Sequence, residues 1–332
     1  MSTPSFDVLG IGLNATDTLL LLPEFPAYAG KVAYDQELLS PGGQVATAIV
    51  TCAKLGLRAK YIGTIGDDFR GNVQRQSLQE TGVDITGLIL RHECPNQTAY
   101  ILIDQRTGER TVLWHRANCL RLTASEIRPE DIASAKLLHI DGYDTEAAAH
   151  AASLAQQQGI PVSLDVDTVY PGFDCVLKHV DYLVASSSWP GKWTGEKDPF
   201  IALSRLQREY SLRISAMTLG ERGSLALEQG RWTYSPAFEV RCVDTTGAGD
   251  AFHGAFCYAM LAGMQMQSVL DFSNAAAALN CTAIGARGHI PIRSEVDSLI
   301  SLASAGKLRR REDRSIAERL TAHASESVIH NQ

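Results

Sequence analysis

Apolar residues fall along this chain in short blocks of two kinds. Asp7 to Gly12, Arg58 to Gly63, Leu137 to Ile140, Pro161 to Val166, Tyr182 to Ala185, Ile214 to Leu219 and Leu225 to Glu228 are runs of strand length. Most are nearly continuous in Val, Ile and Leu, the pattern of strands covered on both faces. Between several of them lie stretches with helical spacing. Gln44 to Leu55, Asn72 to Gly82, Glu146 to Gln158 and Pro199 to Glu209 read as helices, and Gly56, Gly82 and Gly159 supply ends where a left-handed residue costs least. Thr123 and Glu126 form a capping-box pattern. This alternation predicts an α/β fold: a doubly wound, mostly parallel sheet flanked by helices.

Two places break the alternation. Thr18 to Leu22 stops at Pro23, with Val32 to Leu39 following; Ala99 to Asp104 and Arg110 to Trp114 flank the turn-rich Gln105 to Glu109, a hairpin signal. These segments predict a small β-sheet lid formed from about 14–40 and 96–118, set over a main domain spanning 1–305. Residues 306–332 read as a polar C-terminal tail whose basic run, Arg309 to Arg311, belongs to a solvated helix.

With 45% apolar and 20% charged residues the chain is ordinary globular protein, and a net charge of −7 gives no reason to expect a nucleic-acid partner. No apolar run approaches the roughly 18 residues of a membrane span, and Met1 to Phe6 is short and polar, so a cytoplasmic protein without membrane contact is expected. The seven cysteines are scattered, form no C-x-x-C pair and read as reduced.

Candidate chemistry concentrates in Val243-Asp244-Thr245-Thr246-Gly247-Ala248-Gly249-Asp250-Ala251-Phe252-His253-Gly254, which runs into an apolar helical stretch. Small residues at Gly247, Ala248 and Gly249 leave amide N–H groups uncovered where a helix begins, and the helix dipole adds to their attraction for an anion. Asp250, placed immediately afterwards, can accept a proton from a hydroxyl beside a bound phosphate; helix-terminal donors should keep it ionised near neutral pH. The alternative is a tight turn with an acidic cap.

The unbroken match from Asp244 to Gly254 resembles the C-terminal signature of the ribokinase-like (PfkB) carbohydrate kinases, nearest the sulfofructose kinase and ketohexokinase-like branches. The resemblance covers roughly residues 6 to 300. It implies ATP-dependent phosphorylation of a hydroxyl on a small sugar, a ketose or ketose derivative, with Asp250 as catalytic base, Mg²⁺ as cofactor and a homodimer built through the lids. On the sugar side it implies Asp17, Gly42, Gly43 and Thr47, with Lys31 and Arg116 as further contacts. On the ATP side it implies Thr218, Gly220, Gly223 and Asn274, with Gly285-Ala286 also near the adenine. Asp244 and Thr246 resemble the potassium (K⁺) site of several relatives.

The chain also departs from that pattern. Ser186-Ser187-Ser188-Trp189 stands where many relatives carry an N-x-x-E motif that organises magnesium, leaving Asp165 and Asp167 to act on the metal indirectly, and Thr47 replaces an Asn. Two rival readings follow from the sequence. One is a non-catalytic nucleotide or sugar sensor, motivated by the missing motif. The other is an NAD-dependent oxidoreductase, because Gly10-Ile11-Gly12-Leu13-Asn14-Ala15 imitates a dinucleotide fingerprint that would have to open a helix.

Overall fold

The computed structural model describes residues 4–329, with side chains to 321. Thirteen strands account for two sheets: β1 (Val8–Ile11), β2 (Ala15–Leu22), β3 (Gln36–Gly42), β4 (Ala59–Gly66), β5 (Asp84–Arg91), β6 (Thr98–Asp104), β7 (Arg110–His115), β8 (Leu138–Ile140), β9 (Val162–Val166), β10 (Tyr182–Ser186), β11 (Ile214–Thr218), β12 (Ser224–Glu228) and β13 (Arg231–Ser235). The larger sheet runs β13-β12-β11-β10-β9-β8-β1-β4-β5. It is parallel except at β11-β12-β13, where two antiparallel pairings close one edge. Its central strands are covered on both faces, and Val8, Leu9, Leu164, Leu183 and Val184 are fully buried, as the near-continuous apolar runs predict.

The edge strands β5 and β13 are absent from the sequence reading. Both are mixed in polarity and partly exposed, so neither the apolar-run pattern nor strict alternation marks them. The helix α1 (Gln44–Lys54) starts behind Gly43 as expected. α2 (Phe69–Glu80) begins three residues before the expected Asn72, because the Asp68 side chain caps it by accepting from the Gly71 N–H at 2.8 Å.

The smaller sheet has the order β3-β2-β6-β7. β1 continues into β2 after three residues, Gly12, Leu13 and Asn14, with no helix between them. That direct passage excludes the dinucleotide fingerprint, whose glycines must open a helix. Across this sheet Ser40, Asp17, Ala99 and Trp114 form one row and Leu39, Thr18, Tyr100 and Leu113 the next. Neighbouring rows point to opposite faces. The face carrying Asp17 also buries Leu19, Leu21, Ile101 and Ile103, against which Ile284 packs. On the other face Leu39, Tyr100 and Leu113 are exposed.

Two expectations are corrected. The cysteines are not all reduced: Cys94 and Cys119 form a disulfide, while the other five are free. Sequence distance hid the pair, because β6 and β7 are antiparallel and bring the segment entering the hairpin back beside the one leaving it. The basic run near the C-terminus is docked rather than solvated. Arg310 and Arg311 pair as a short strand with Ala237–Phe238; Arg310 lies 4.3 Å over the Phe238 ring and 2.7 Å from Asp271, and Arg311 pairs with Glu221. Helix Arg314–Ile329 follows. Among the described residues no helix is long and apolar enough to cross a membrane.

Closing a loop of this length restricts the unfolded chain by roughly 3 kcal/mol. Cys119→Ser is therefore expected to lower Tm by several degrees in non-reducing buffer, and dithiothreitol to lower the wild type to the same value. A Tm unmoved by either change would show that the bond contributes nothing to the folded state.

Candidate active site

Three segments meet where the two sheets adjoin. The first is the helix Ala248–Leu261, whose N-cap Gly247 has φ 77°. A Cβ at 247 would lie 2.5 Å from the Ala286 Cα, so glycine is required both for the turn and for the contact. The Ala248 N–H is used by the Thr245 carbonyl at 3.3 Å. The Gly249 and Asp250 N–H groups have no acceptor among the described residues, which narrows the expected anion site to those two amides and the helix dipole. Asp244 shapes the loop before them. Its Oδ1 accepts from the Thr246 N–H (2.9 Å) and hydroxyl (2.7 Å), and its Oδ2 from the Gly285 N–H (2.8 Å). Its carboxylate oxygens are thus already engaged at the place where a potassium site was expected.

The second segment is the start of α1. A Cβ on Gly42 would fall 2.2 Å from Asp17 Oδ2, and one on Gly43, which has φ 91°, 2.3 Å from the Asn14 Cα. The two glycines let β3 and α1 close onto β2. Asp17 lies buried on the inner face of the small sheet, and no donor among the described residues reaches its carboxylate. Thr47 is fully buried in α1 and its hydroxyl accepts from Arg287 Nε at 3.2 Å, so it acts within the wall of the site.

The third segment is the small-sheet hairpin. Arg110, at the start of β7, donates to the Thr245 hydroxyl. Trp114, on the same face of the small sheet as Asp17, meets Tyr143 edge-on at 6.0 Å, and Tyr143 meets Tyr170 at 5.4 Å. Arg116 is committed elsewhere: it holds Asp144 at 2.7 and 3.0 Å, donates to the Leu120 carbonyl and lies 4.8 Å from the Tyr143 ring. Lys31 is exposed in the loop before β3, with no hydrogen bond or ion pair among the described residues.

On the expected nucleotide side, β11 ends at Thr218 and a single 3-10 turn covers Gly220–Arg222. Gly220 has φ 60° and Gly223 φ 94°; a Cβ at 223 would meet the Ser235 carbonyl at 2.0 Å. The Asn274 amide nitrogen is bonded to the Ser235 carbonyl (2.9 Å) and hydroxyl (2.7 Å), so Asn274 braces β13. Ala286 packs against Gly247 and Gly42, and Gly285 against Ser40.

The site carries several acids. Asp165 pairs with His253 Nε2 at 3.0 Å, and burial with the charge of Asp165 pushes Asp167 up. Asp250 is likewise driven well above the usual carboxylate range, first by burial, then by Asp165 and Asp167, with Arg110 opposing. This corrects the expectation of an ordinary ionised carboxylate: desolvation and like charge outweigh the helix terminus. Among the described residues no group of three His, Cys, Asp or Glu side chains stands ready to ligate a metal directly. A cluster of carboxylates in which the charge of Asp165 raises Asp167 and Asp250 nevertheless fits a cation held through its water shell.

Sequence reasoning missed Arg110, Arg287, Asn14, Trp114 and Asp141. Asn14 Nδ2 donates to the Tyr61 hydroxyl (3.1 Å) and the Thr64 carbonyl (2.8 Å), and buried Asp141 accepts from the Leu13 N–H at 2.6 Å. The only signals were positional: Arg110 opens a predicted strand, and Arg287 directly follows Gly285-Ala286.

Residues 15–293 match the family model described as "pfkB family carbohydrate kinase". An "ATP-dependent ribose-1-phosphate kinase" of Halopiger xanaduensis is 29% identical, over 84% of this chain and 93% of the relative. "Fructokinase-1" of Zea mays is 27% identical, over 90% and 97%. A crystal structure of "a putative ribokinase from Agrobacterium tumefaciens" superimposes with TM-score 0.84 at 29% identity, covering 91% of this chain and 99% of the other.

The acids of the site act on stability in a direction that can be measured. Burial raises Asp17 to about 7, against the opposing pull of Arg287, whereas an unfolded aspartate ionises near about 3.9. Between these values the folded protein holds a proton that the unfolded chain releases, so Asp17 subtracts stability progressively as pH rises toward 7. Asp17→Asn is expected to raise Tm more at about pH 8 than at about pH 4. Equal changes in Tm at the two pH values would show that Asp17 ionises normally.

Proposed function

Because the chain belongs to the pfkB family of carbohydrate kinases, we propose that it transfers the terminal phosphoryl group of ATP to a hydroxyl of a ketose or ketose derivative held between Asp17 and Asp250. The observation that carries this reading is the start of the helix Ala248–Leu261. An unpaired carboxylate stands there beside two free amides, in electrostatic contact with a second unpaired carboxylate, Asp17. A relative named fructokinase is consistent with the ketose.

Asp17 and the Gly42-Gly43 backbone hold the sugar hydroxyls. Asp250 takes the proton of the attacking hydroxyl as its oxygen bonds to the phosphorus and the bond to the ADP oxygen breaks. Its raised basicity suits that role. The Gly249 and Asp250 N–H groups receive charge developing on the phosphoryl oxygens, and Arg110 closes over the same loop from the hairpin. ATP lies along Thr218, Gly220, Gly223 and the Asn274 helix. Asp165 and Asp167 would hold the waters of Mg²⁺, which when bound neutralises phosphate charge. The small sheet acts as the lid of the main domain and excludes water from the transfer. Its exposed row of Leu39, Tyr100 and Leu113 suits cover by the same face of a second copy, giving a homodimer.

ADP release with Mg²⁺-ATP across ketoses, aldoses, their phosphates and nucleosides tests the activity. One ketose is expected to be turned over, with kcat falling about 10²- to 10⁴-fold in Asp250→Asn and Arg110→Ala falling less. A wild type inert across the panel, or a fully active Asp250→Asn, would sink the reading. For the dimer, sedimentation equilibrium is expected to give twice the chain mass, and Leu113→Asp the single mass; a monomeric wild type would refute it.

A further inference from the structure

Arg287 is a half-buried arginine whose side chain reaches several elements of the site at once. Nε donates to the Thr47 hydroxyl of α1 (3.2 Å) and Nη1 to the Ser77 hydroxyl of α2 (2.8 Å). Nη2 donates to the Gly42 carbonyl (2.9 Å) and to Gln74 Oε1 of α2 (3.2 Å). Gln74 in turn donates through Nε2 to the Ala15 carbonyl at the start of β2. The residue before Arg287, Ala286, is the one that Gly247 and Gly42 both pack against. One side chain thus connects the end of β3, both early helices and, through its own backbone neighbour, the turn that opens the helix of Asp250.

From this geometry we propose that Arg287 is a positioning residue for the sugar. It fixes the Gly42 carbonyl, and hence the place of the Asp17 carboxylate lying on Gly42, relative to the turn that carries Asp250. It also supplies the positive charge against which Asp17 ionises. This goes beyond the kinase reading but rests on it. Three features of the arrangement support it. The guanidinium has a planar fork of donors that a lysine cannot reproduce. Burial lowers Arg287 to about 10 while Tyr61, Asp17 and Asp250 hold it up, so it stays a cation throughout the neutral range. The charged groups acting on Asp17 are Arg287 and Arg70, which lower it, and Asp244, which raises it; Asp17 and Asp250 also act on one another. Of the two arginines, Arg70 is engaged with the Thr16 carbonyl and the Thr18 hydroxyl (3.3 and 3.1 Å), on the opposite face of β2 from Asp17.

Interactions made equally with bound sugar and transition state appear in KM rather than kcat. With D-fructose, or with D-ribose if the wild type turns that over instead, Arg287→Gln is expected to raise the sugar KM at least about tenfold. Its KM for ATP should stay within about twofold, and the acid limb of kcat/KM for the sugar should move to higher pH, because Asp17 loses its cation. Arg287→Lys keeps the charge but not the fork, so it should raise the sugar KM while leaving the acid limb in place. Should Arg287→Gln fail to fold, Arg287→Lys decides alone, and a wild-type sugar KM in it overturns the proposal. In a folded Arg287→Gln, an unchanged sugar KM and acid limb overturn it, as does a fall in Tm and kcat with both KM values unmoved, which would mark a brace of the fold alone. A wild type that turns over neither sugar, nor any other in the panel, removes the kinase reading and this inference together; turnover by the wild type with an indifferent Arg287→Gln removes only the inference.

Discussion

The site depends on backbone approaching backbone or a buried carboxylate at distances that only a hydrogen atom permits. Gly247 closes on Ala286, Gly42 on the Asp17 carboxylate and Gly43 on Asn14. Two of these glycines also take positive φ, so any other residue would meet strain and collision together. Because these contacts are steric, they hold Asp17, the Gly249 and Asp250 amides and the small-sheet floor in one fixed relation without a large area of apolar burial between them. Asp244 then sets the loop from the side of Thr246 and Gly285, and Arg287 sets it from the side of the two early helices. The chemistry follows from this frame rather than from any one reactive side chain.

Electrostatically the site works against folding. Asp17, Asp141, Asp167 and Asp250 are all pushed above the ordinary carboxylate range, each chiefly by burial. Asp141 is offset by two backbone donors, Leu13 and Tyr143, and serves the turn between β1 and β2. Asp17 and Asp250 are opposed chiefly by the charges of Arg287 and Arg110, and a charged nucleotide with its metal would be the natural complement of the site's acids. The fold tolerates them because large apolar clusters lie on both faces of the nine-stranded sheet.

Much of this architecture was legible in the sequence, for physical reasons that also mark where legibility stopped. Strands buried on both faces, such as β9 and β10, announce themselves as apolar runs, and the change to hairpin chemistry at Gln105 to Glu109 marked the second sheet. The Gly247-to-Asp250 motif stood out because its small residues and its acid are adjacent in the chain. What did not show were relations between distant residues. Arg287 gains its place only when residues 240 and more positions apart meet. Cys94 and Cys119 pair only because two strands run back to back, and Asn274 turned out to brace Ser235 because its neighbour in space lies 39 residues away. The basicity of Asp250 escapes the sequence for the same reason: its helix terminus is local and visible, whereas its burial and the charges of Asp165 and Asp167 come from packing with distant segments.

The passage from β1 to β2 is only Gly12, Leu13 and Asn14, and each of them is held: Gly12 against Asp141, Leu13 by the Asp141 carboxylate, Asn14 by Tyr61 and Thr64. The small sheet is therefore joined to the large one through a short, pinned passage. Asp17 lies three residues beyond Asn14, and a second short junction, Gly43 between β3 and α1, ties the same sheet to the main body. In evolutionary terms, insertions between β1 and β2 would displace Asp17 from the Gly249 and Asp250 amides, whereas the exposed stretch from Glu24 to Asp35 can change in length and composition with little consequence at this passage. Divergence among proteins built this way is then expected to accumulate in that exposed stretch rather than in the pinned passage.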